Sequence, residues 1–164
     1  MDILDEIETA IPALRRYAHA LERDRDAADD LVQDTLERAL SRRAQWRGEG
    51  SVRAWLFGIL QNRYRDTLRR AGPRLVTVED LATEPARPGA QEGQMALREV
   101  HDAMGRLPAD QRAALLLVAL EGMSFDEAAR VLGLPRGTLM SRLARARAAL
   151  RGLTGRDEPR KVTR

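Results

Sequence analysis

The sequence contains no cysteine, and only 4% of its residues are aromatic. Without cysteine, the chain can form neither a disulfide framework nor a thiolate metal site. Its two histidines, His19 and His101, are far apart in the sequence, so we expect ordinary core or surface residues and no bound cofactor. Alternation of apolar and polar residues never extends beyond a few positions, whereas alanine and leucine are plentiful. This composition favours an all-α fold.

No stretch of the sequence is long and apolar enough to span a membrane, and the first ten residues, MDILDEIETA, lack the basic start of a signal peptide. We therefore expect a cytoplasmic protein without membrane insertion. The formal net charge is only +3, but the charges are segregated. Acidic residues outnumber arginines in residues 1–36, and arginines outnumber acidic residues in residues 37–72. Such opposed blocks indicate two different partners, one basic and one anionic.

The clearest motif is SFDEAARVLGLPRGTLMSRLARARAALR, residues 124–151. Ser124 and Glu127 form an S-x-x-E capping box, which marks the start of a short helix. Gly133 supplies a sharp turn, because a residue without a Cβ adopts positive φ at little cost. Pro135 then suits the first turn of a second helix, where its missing N–H is no loss. The pattern predicts a helix-turn-helix.

The second helix of this motif has an apolar side and a basic side. The apolar side repeats at helical spacing and consists of Leu139, Leu143, Ala146 and Leu150. The opposite side is small and basic, with Gly137, Ser141, Ala144, Arg145 and Ala148 flanked by Arg136, Arg142, Arg147 and Arg151. Small residues let a helix enter the major groove, and arginines reach phosphates or base edges. No acidic residue interrupts this side, so we predict that it binds duplex DNA.

Apolar residues at helical spacing predict three helices before residue 72. The first stripe starts at Ile3, but Pro12 predicts a break, with a short turn before it and the main helix after it. The second helix is predicted from about Asp26 to Arg43. Its inward side is Ala28, Leu31, Val32, Thr35, Leu36 and Ala39, and its outward, mainly acidic side is Asp26, Asp30, Gln33, Asp34 and Glu37.

The third helix is predicted from Val52 to Arg70, after the glycine-bearing loop WRGEGS, residues 46–51. Its apolar side is Val52, Trp55, Leu56, Ile59, Leu60 and Thr67, and its other side carries Gln61, Asn62, Arg65 and Arg69. Amides and arginines suit base edges and phosphates. The same residues also fit an ordinary solvated face, and the pattern alone leaves both interpretations open.

Helical periodicity stops after Gly72. Residues 73–94 contain several prolines and glycines, which predicts a flexible linker. Beyond it, residues 95–153 predict a second helical domain. Its central buried helix is AALLLVAL, residues 113–120, which is apolar on every side. Residues 154–164 form a polar tail, so the expected architecture is two small helical domains, residues 1–72 and 95–153, joined by the linker.

The order of these segments resembles the extracytoplasmic-function group of bacterial RNA polymerase sigma factors. DAADDLVQDTLERAL, residues 26–40, is similar to the region that grips the clamp helices of the polymerase. SVRAWLFGILQNRYRDTLRR, residues 51–70, is similar to the segment that melts the promoter and captures the minus-ten element. Residues 107–150 are similar to the domain that reads the minus-thirty-five element. The resemblance implies a sigma factor that is not itself an enzyme, with core RNA polymerase, promoter DNA and an anti-sigma factor as partners.

The resemblance also implies roles for individual residues. The implied polymerase contacts are Asp30, Leu31, Gln33 and Asp34. The implied contacts to the minus-ten element are Arg47, Gln61, Asn62, Arg65 and Arg69, with Asn62 placed to hold a flipped base. The implied contacts to the upstream element are Arg136, Thr138, Ser141, Arg142, Arg145 and Arg147. Met140 stands where relatives often carry Lys or Arg, so one DNA contact is expected to be missing.

Two other classes of protein account for part of the sequence. A dimeric helix-turn-helix repressor would use residues 95–153 in the same way, but it needs neither the acidic side of the second helix nor the amide side of the third. Gel filtration distinguishes it, since a repressor of palindromic sites is a dimer on its own. An enzyme needs a nucleophile and base, a phosphate loop or a set of metal ligands, and the sequence shows none of these patterns.

Overall fold

The computed structural model describes residues 1–72 and 92–155, and the regular secondary structure in these two ranges is entirely helical. Within these two ranges, seven α-helices follow one another: α1 Ile3–Leu21, α2 Arg25–Arg42, α3 Val52–Ala71, α4 Glu92–Arg106, α5 Ala109–Leu115, α6 Phe125–Leu132 and α7 Arg136–Leu153. A 3-10 turn, Arg43–Gln45, follows α2, and α5 continues into a π-helical turn, Leu116–Leu120. The predicted all-α fold is confirmed. Most of the predicted linker and tail lies outside the described residues.

The N-terminal half consists of α1, α2 and α3, each packed on the other two. At its centre, the edge of the Tyr17 ring meets the ring of Phe57, with 5.1 Å between the ring centroids. The Tyr17 hydroxyl donates a hydrogen bond to Gln61 Oε1 at 2.9 Å. Burial raises the pKa of Tyr17, because the anionic form would lose its hydration. The hydroxyl therefore stays protonated and holds the carboxamide of Gln61 inside the core.

The predicted break at Pro12 is wrong, because α1 continues through this residue without interruption. Pro12 lies on the exposed side of α1, and so does Glu8, whose carbonyl loses its amide partner to the proline. Solvent can hydrate that carbonyl. On the opposite side, the buried residues Ile7 and Leu14 belong to one continuous core. Burial of each such side chain contributes about 1.5–3 kcal/mol, which offsets the cost of about 3 kcal/mol for an internal proline.

The predicted inward side of α2 is largely confirmed. Ala28, Leu31, Val32, Thr35 and Ala39 are buried, and Leu36 is half-buried. The Thr35 hydroxyl satisfies its hydrogen-bonding need by donating to the Leu31 carbonyl at 2.7 Å. The sequence also sets the helix starts. The carboxylate of Asp24 accepts from the first amides of α2, and the Ser51 hydroxyl accepts from the Ala54 amide at 3.0 Å to begin α3.

The helix-turn-helix is confirmed in detail. Ser124 and Glu127 form the predicted capping box at α6, and Gly133 ends α6 in the left-handed conformation with φ of 65°. Leu139, Leu143 and Ala146 of α7 are buried, as their spacing predicts. These contacts hold α6 and α7 together and leave the other side of α7 at the surface.

The prediction of one fully buried helix over residues 113–120 is only partly right. Residues 113–117 are buried, but the segment divides into α5 and the π-helical turn, and Leu120 is 39% exposed. The wider π turn rotates the last residues of the segment away from the core. Gly122, with φ of 65°, then lets the chain reverse toward α6. The apolar composition alone does not show this change of helix type.

The two halves pack against each other, which the sequence analysis did not predict. Helices α1 and α3 contact α5, the π turn and α6, and buried residues of both halves form one hydrophobic cluster. The guanidinium of Arg112 in α5 donates to the carbonyls of Leu21 at the end of α1 and of Met104, Gly105 and Leu107, all at 2.8–3.0 Å. Arg112 thereby satisfies helix-end carbonyls on both sides of the junction.

Candidate nucleic-acid and polymerase interfaces

The outward side of α7 is a continuous exposed surface without carboxylates. Arg136, Gly137, Thr138, Ser141, Ala144, Arg145, Arg147 and Ala148 are all exposed. The small residues in the centre leave the helix backbone close to the surface, and the arginines project from the centre and both flanks. We call these eight residues the α7 surface. Its shape and charge fit a major groove bordered by phosphates.

Two of the predicted upstream contacts of α7 already have partners in the protein. Arg142 is half-buried, with its Nε 3.7 Å from a carboxylate oxygen of Asp110. Arg136 Nη1 lies 3.3 Å from Asp126 Oδ1, and both of these side chains remain more than half exposed. Exposed ion pairs contribute little free energy, so Arg136 can exchange Asp126 for a phosphate. Met140 is 48% exposed beside the α7 surface, where it offers an apolar contact instead of a charge.

The residues predicted to contact the minus-ten element lie at different depths along α3. Asn62 and Arg69 are exposed, and Arg69 forms an ion pair with Asp66. Arg65 is half-buried and donates to the backbone carbonyl of Leu132 in α6. Gln61 is 4% exposed, so the structure does not offer it to a DNA strand. The assignment of Gln61 to the polar side of α3 is therefore corrected: α3 has neighbours on several sides.

The loop before α3 is anchored at both of its ends. Trp46 packs against Trp55 of α3 with 5.3 Å between the ring centroids, and Ser51 caps α3. Between these anchors, Gly48 and Gly50 have φ of 72° and 80°, values that favour glycine. Arg47 is exposed on this loop. The loop is predictable from its glycines, but the contact between Trp46 and Trp55 is not, because the sequence shows that both residues are tryptophan without showing that they meet.

The predicted polymerase contacts on α2 differ in exposure. Asp30 and Gln33 are exposed, and the Gln33 amide donates to Glu37 at 3.2 Å. Asp34 is one-third exposed, because Arg63 of α3 and Arg38 of α2 both bind its carboxylate. Leu31 is only 7% exposed, so it supports this face from beneath. The accessible acidic surface of α2 thus consists mainly of Asp30 with the Gln33–Glu37 pair.

Neither a metal site nor a membrane-spanning helix occurs in residues 1–72 and 92–155. Among the described residues, no three or more His, Asp or Glu side chains are grouped so that they could hold a metal ion. In the same two ranges of the chain, no helix is long and apolar enough to cross a membrane. The Nε2–H of His19 donates a hydrogen bond to a carboxylate oxygen of Asp29 at 2.9 Å, and His101 is exposed.

The acid-free α7 surface fits duplex DNA, and the acidic side of α2 fits a basic protein partner. Together they indicate a helical DNA-binding protein that acts in transcription. The family comparisons agree with this class. Residues 7–61 match the Sigma2 domain of PhyR, and residues 97–150 match region 4 of the sigma-70 proteins. The two matched ranges coincide with the N-terminal half and with the helices around the helix-turn-helix.

Similar proteins of known type match across both halves. The chain is 40% identical over 154 residues to the sigma factor EcfG of Rhodopseudomonas palustris, an alignment that covers 91% of this chain and 83% of that protein. It is 37% identical over 143 residues to SigM of Mycobacterium tuberculosis, an alignment that covers 87% of this chain and 71% of that protein. The chain therefore belongs to the extracytoplasmic-function family of RNA polymerase sigma factors, and it is a sigma factor that directs transcription.

Two solved structures of sigma factors share the fold. The sigma factor RpoE of Bartonella quintana, solved in complex with the anti-sigma factor NepR, has a TM-score of 0.77 and 35% identity and covers 94% of this chain and 97% of that one. CnrH, solved with the cytosolic domain of CnrY, has a TM-score of 0.69 and 29% identity, and the match covers 95% of this chain and 89% of that one.

Proposed function

We propose that this sigma factor binds core RNA polymerase through α2, captures the minus-ten element with α3 and the loop 46–51, and reads the minus-thirty-five element with the α7 surface. The observation that carries the proposal is the acid-free α7 surface. A helix side that only faces solvent usually carries acidic as well as basic residues. In this proposal residues 1–72 act as region 2 and residues 95–153 as region 4. Residues 73–94 link them, and residues 154–164 form a tail.

The polymerase supplies the chemistry, and this chain supplies the choice of promoter. The accessible acidic surface of α2 complements a basic partner surface, and such complementarity sets orientation as well as association rate. Asp30 and Gln33 make the direct contacts in this proposal. Asp34 adds negative charge to this surface while it remains paired with Arg63. Leu31 is buried and packs α2 against the core.

Capture of the minus-ten element depends on Asn62 and the anchored loop. Extruding a base from the duplex costs a few kcal/mol, so a site that binds only the extruded base favours melting at its own sequence. Asn62 is exposed, and its carboxamide can pair with the Watson–Crick edge of such a base. Arg47 on the loop and Arg69 on the same helix are also exposed, and in this proposal they contact phosphates of the captured strand. The buried Gln61 takes no part, and Arg65 takes part only after it leaves Leu132.

Regulation by an anti-sigma factor is part of this proposal. The sigma factors RpoE of Bartonella quintana and CnrH, which share this fold, were solved in complex with NepR and with the cytosolic domain of CnrY, respectively. Identities of 35% and 29% over nearly the whole chain support the same kind of partner here. The repressor alternative is not favoured, because the curated relatives are sigma factors and match both halves.

Replacing Arg145 tests the proposed reading of the upstream duplex. Arg145 lies exposed near the middle of the α7 surface, where its guanidinium reaches base edges. Arg145→Ala is expected to weaken binding to the correct minus-thirty-five duplex by about 1–3 kcal/mol and to reduce discrimination against altered duplexes. Fluorescence anisotropy with a set of labelled duplexes measures both effects.

Arg98→Ala is the matched control, because Arg98 is an exposed arginine on α4 and is not one of the eight residues of the α7 surface. It removes the same charge and is expected to leave the preference among duplexes unchanged. Equal preference profiles for Arg145→Ala and the wild type would show that Arg145 does not read base edges.

A further inference from the structure

One large apolar side chain stands at the edge of the DNA-facing side of α7. Met140 is 48% exposed, and within the described part of the chain it is not among the side chains that form or pack against the hydrophobic core. A single exposed apolar residue is common on protein surfaces, so exposure alone assigns no role. The place of Met140 in α7 is informative, because it is the fifth residue of this helix. In a helix-turn-helix, the N-terminal residues of the second helix meet the base edges.

Met140 belongs to the basic flank of α7. Successive residues of an α-helix are rotated by about 100°, so Met140 projects about 100° away from the buried Leu139. Arg147 and Arg151 project within about 20° of the same direction as Met140, and both are exposed. Met140 therefore interrupts a row of arginines. The row offers an uncharged contact near the start of α7 and cationic contacts farther along the helix.

The neighbours of Met140 toward the centre of the α7 surface are small. Gly137 lies one turn before Met140 and Ala144 one turn after it, and both are exposed. A Cβ built on Gly137 would meet no atom within 4 Å, so the space in front of this part of the helix is open. At this spacing the Cβ atoms of Met140 and Ala144 are about 5–6 Å apart. We call these two residues the apolar patch of α7.

The arginine one turn before Met140 is engaged by another helix. Arg136 Nη1 lies 3.3 Å from Asp126 Oδ1, and the Arg136 guanidinium carbon lies 5.9 Å from the centroid of the Phe125 ring. Both partners belong to α6. The charge of Arg136 is thus directed to α6 in this structure, and the Met140 side chain keeps its exposure.

The DNA group that fits the apolar patch is the C5 methyl group of thymine. Among the four bases, only thymine presents a methyl group in the major groove, and alanine is one of the side chains that suit it. The flexible, unbranched thioether of methionine adapts its shape to an apolar neighbour. Methionine has no charge for a phosphate and no strong hydrogen-bonding group for a guanine or cytosine edge.

We propose that the apolar patch of α7 binds the methyl group of one thymine, so that Met140 is a residue that determines which upstream sequence the chain prefers. This role rests on the proposed reading of the minus-thirty-five element, and it adds Met140 to the eight residues of the α7 surface. Arg145 reads base edges by hydrogen bonds, whereas Met140 reads one methyl group by apolar contact. Met140 therefore contributes to sequence preference and not to the salt-dependent attraction to phosphates.

Substitution of deoxyuridine for thymine removes one methyl group at a time and tests this role. A preferred duplex is first selected with the wild-type chain from a library randomised over the minus-thirty-five element. Each thymine of the selected duplex is then replaced in turn, and affinities are measured by fluorescence anisotropy. One replacement is expected to weaken binding of the wild type by about fourfold, which is the ~0.8 kcal/mol of one buried methyl group. With Met140→Ala, the same replacement should lose most of its effect.

Three further variants separate methyl recognition from general effects on binding. Met140→Leu keeps an apolar side chain of similar volume and should keep the penalty for the missing methyl group. Met140→Lys should remove that penalty, bind all duplexes more tightly and steepen the dependence of log affinity on log salt by about one. Met95→Ala is the matched control and should retain the wild-type penalty, because Met95 is an exposed methionine on α4 and lies outside the α7 surface.

The same penalty for every replacement in the wild type and in Met140→Ala would overturn the role of Met140. A preferred duplex without thymine in this element, or a wild type that tolerates every replacement, would overturn it too. If Arg145→Ala alters the preference among duplexes and Met140→Ala does not, the proposed upstream reading stands and only the role of Met140 fails. If the wild type selects no preferred duplex, the upstream reading fails, and the role of Met140 fails with it.

Discussion

A chain that carries Asp30→Arg is expected to lose affinity for core RNA polymerase by about a hundredfold, because a like charge placed against a basic surface costs several kcal/mol. Asp30 is exposed on α2, and within the described part of the chain its carboxylate makes no ion pair. The substitution therefore changes the surface without breaking a contact inside the protein. Pull-down with core enzyme and anisotropy of a labelled sigma factor both measure the loss.

Glu8→Arg serves as the control for this charge reversal, since Glu8 is exposed on α1 and outside the proposed interface. It is expected to bind polymerase as the wild type does. Asp34→Arg would be less informative, because it would place a third cation beside Arg63 and Arg38. Wild-type binding by Asp30→Arg would make the acidic side of α2 an ordinary solvated surface.

Asn62→Ala is expected to slow formation of the open promoter complex by roughly a hundredfold, because a site built to hydrogen-bond one group loses most of its discrimination when the partner is removed. Asn62 is exposed on α3, and the loop that precedes α3 is anchored by the contact between Trp46 and Trp55. Its removal leaves the extruded base without a partner for its Watson–Crick edge. Permanganate reactivity of unpaired thymines, followed over time with polymerase present, measures the rate of opening.

Gln45→Ala is the matched amide control for Asn62→Ala. Gln45 is exposed in the 3-10 turn just before the loop, and its removal should leave melting unaffected. Neither variant should alter affinity for the isolated minus-thirty-five duplex, which contacts α7. Promoter opening by Asn62→Ala at the wild-type rate would remove Asn62 from the proposed base site.

The helix-turn-helix was predictable because its signals are local. A capping box, a turn glycine and one apolar stripe fix α6, the turn and the exposed side of α7, and they depend on no distant contact. The same holds for the start of α3 at Ser51. Residues Leu139 and Leu143 are buried, as their spacing requires.

The errors concern residues whose environment is set by distant segments. Gln61 has the spacing of a polar surface residue, but Tyr17, which lies 44 positions earlier, binds it inside the core. Pro12 has the local chemistry of a break, but packing of α1 on α2 and α3 outweighs it. The spacing of apolar residues assigns only one buried side to a helix, whereas α3 is packed against α1, α2 and α6 on more than one side.

The contact between the halves could not be predicted for the same reason. Glu121 resembles an ordinary acidic residue at the end of an apolar run, and its partners Arg16 and Arg53 are 105 and 68 positions away. Charge counts show that acidic and basic residues are segregated, but they do not show which arginine meets which carboxylate. Side-chain geometry supplies that information.

Transcription from a library of promoters tests the central claim most directly. Core RNA polymerase is incubated with the library in the presence and absence of this chain, and the run-off transcripts are sequenced. The account predicts a set of transcripts that appears only when the chain is added and whose start sites share one minus-ten and one minus-thirty-five element. The same transcripts with and without the chain, or reduced transcription with no new start sites, would contradict it.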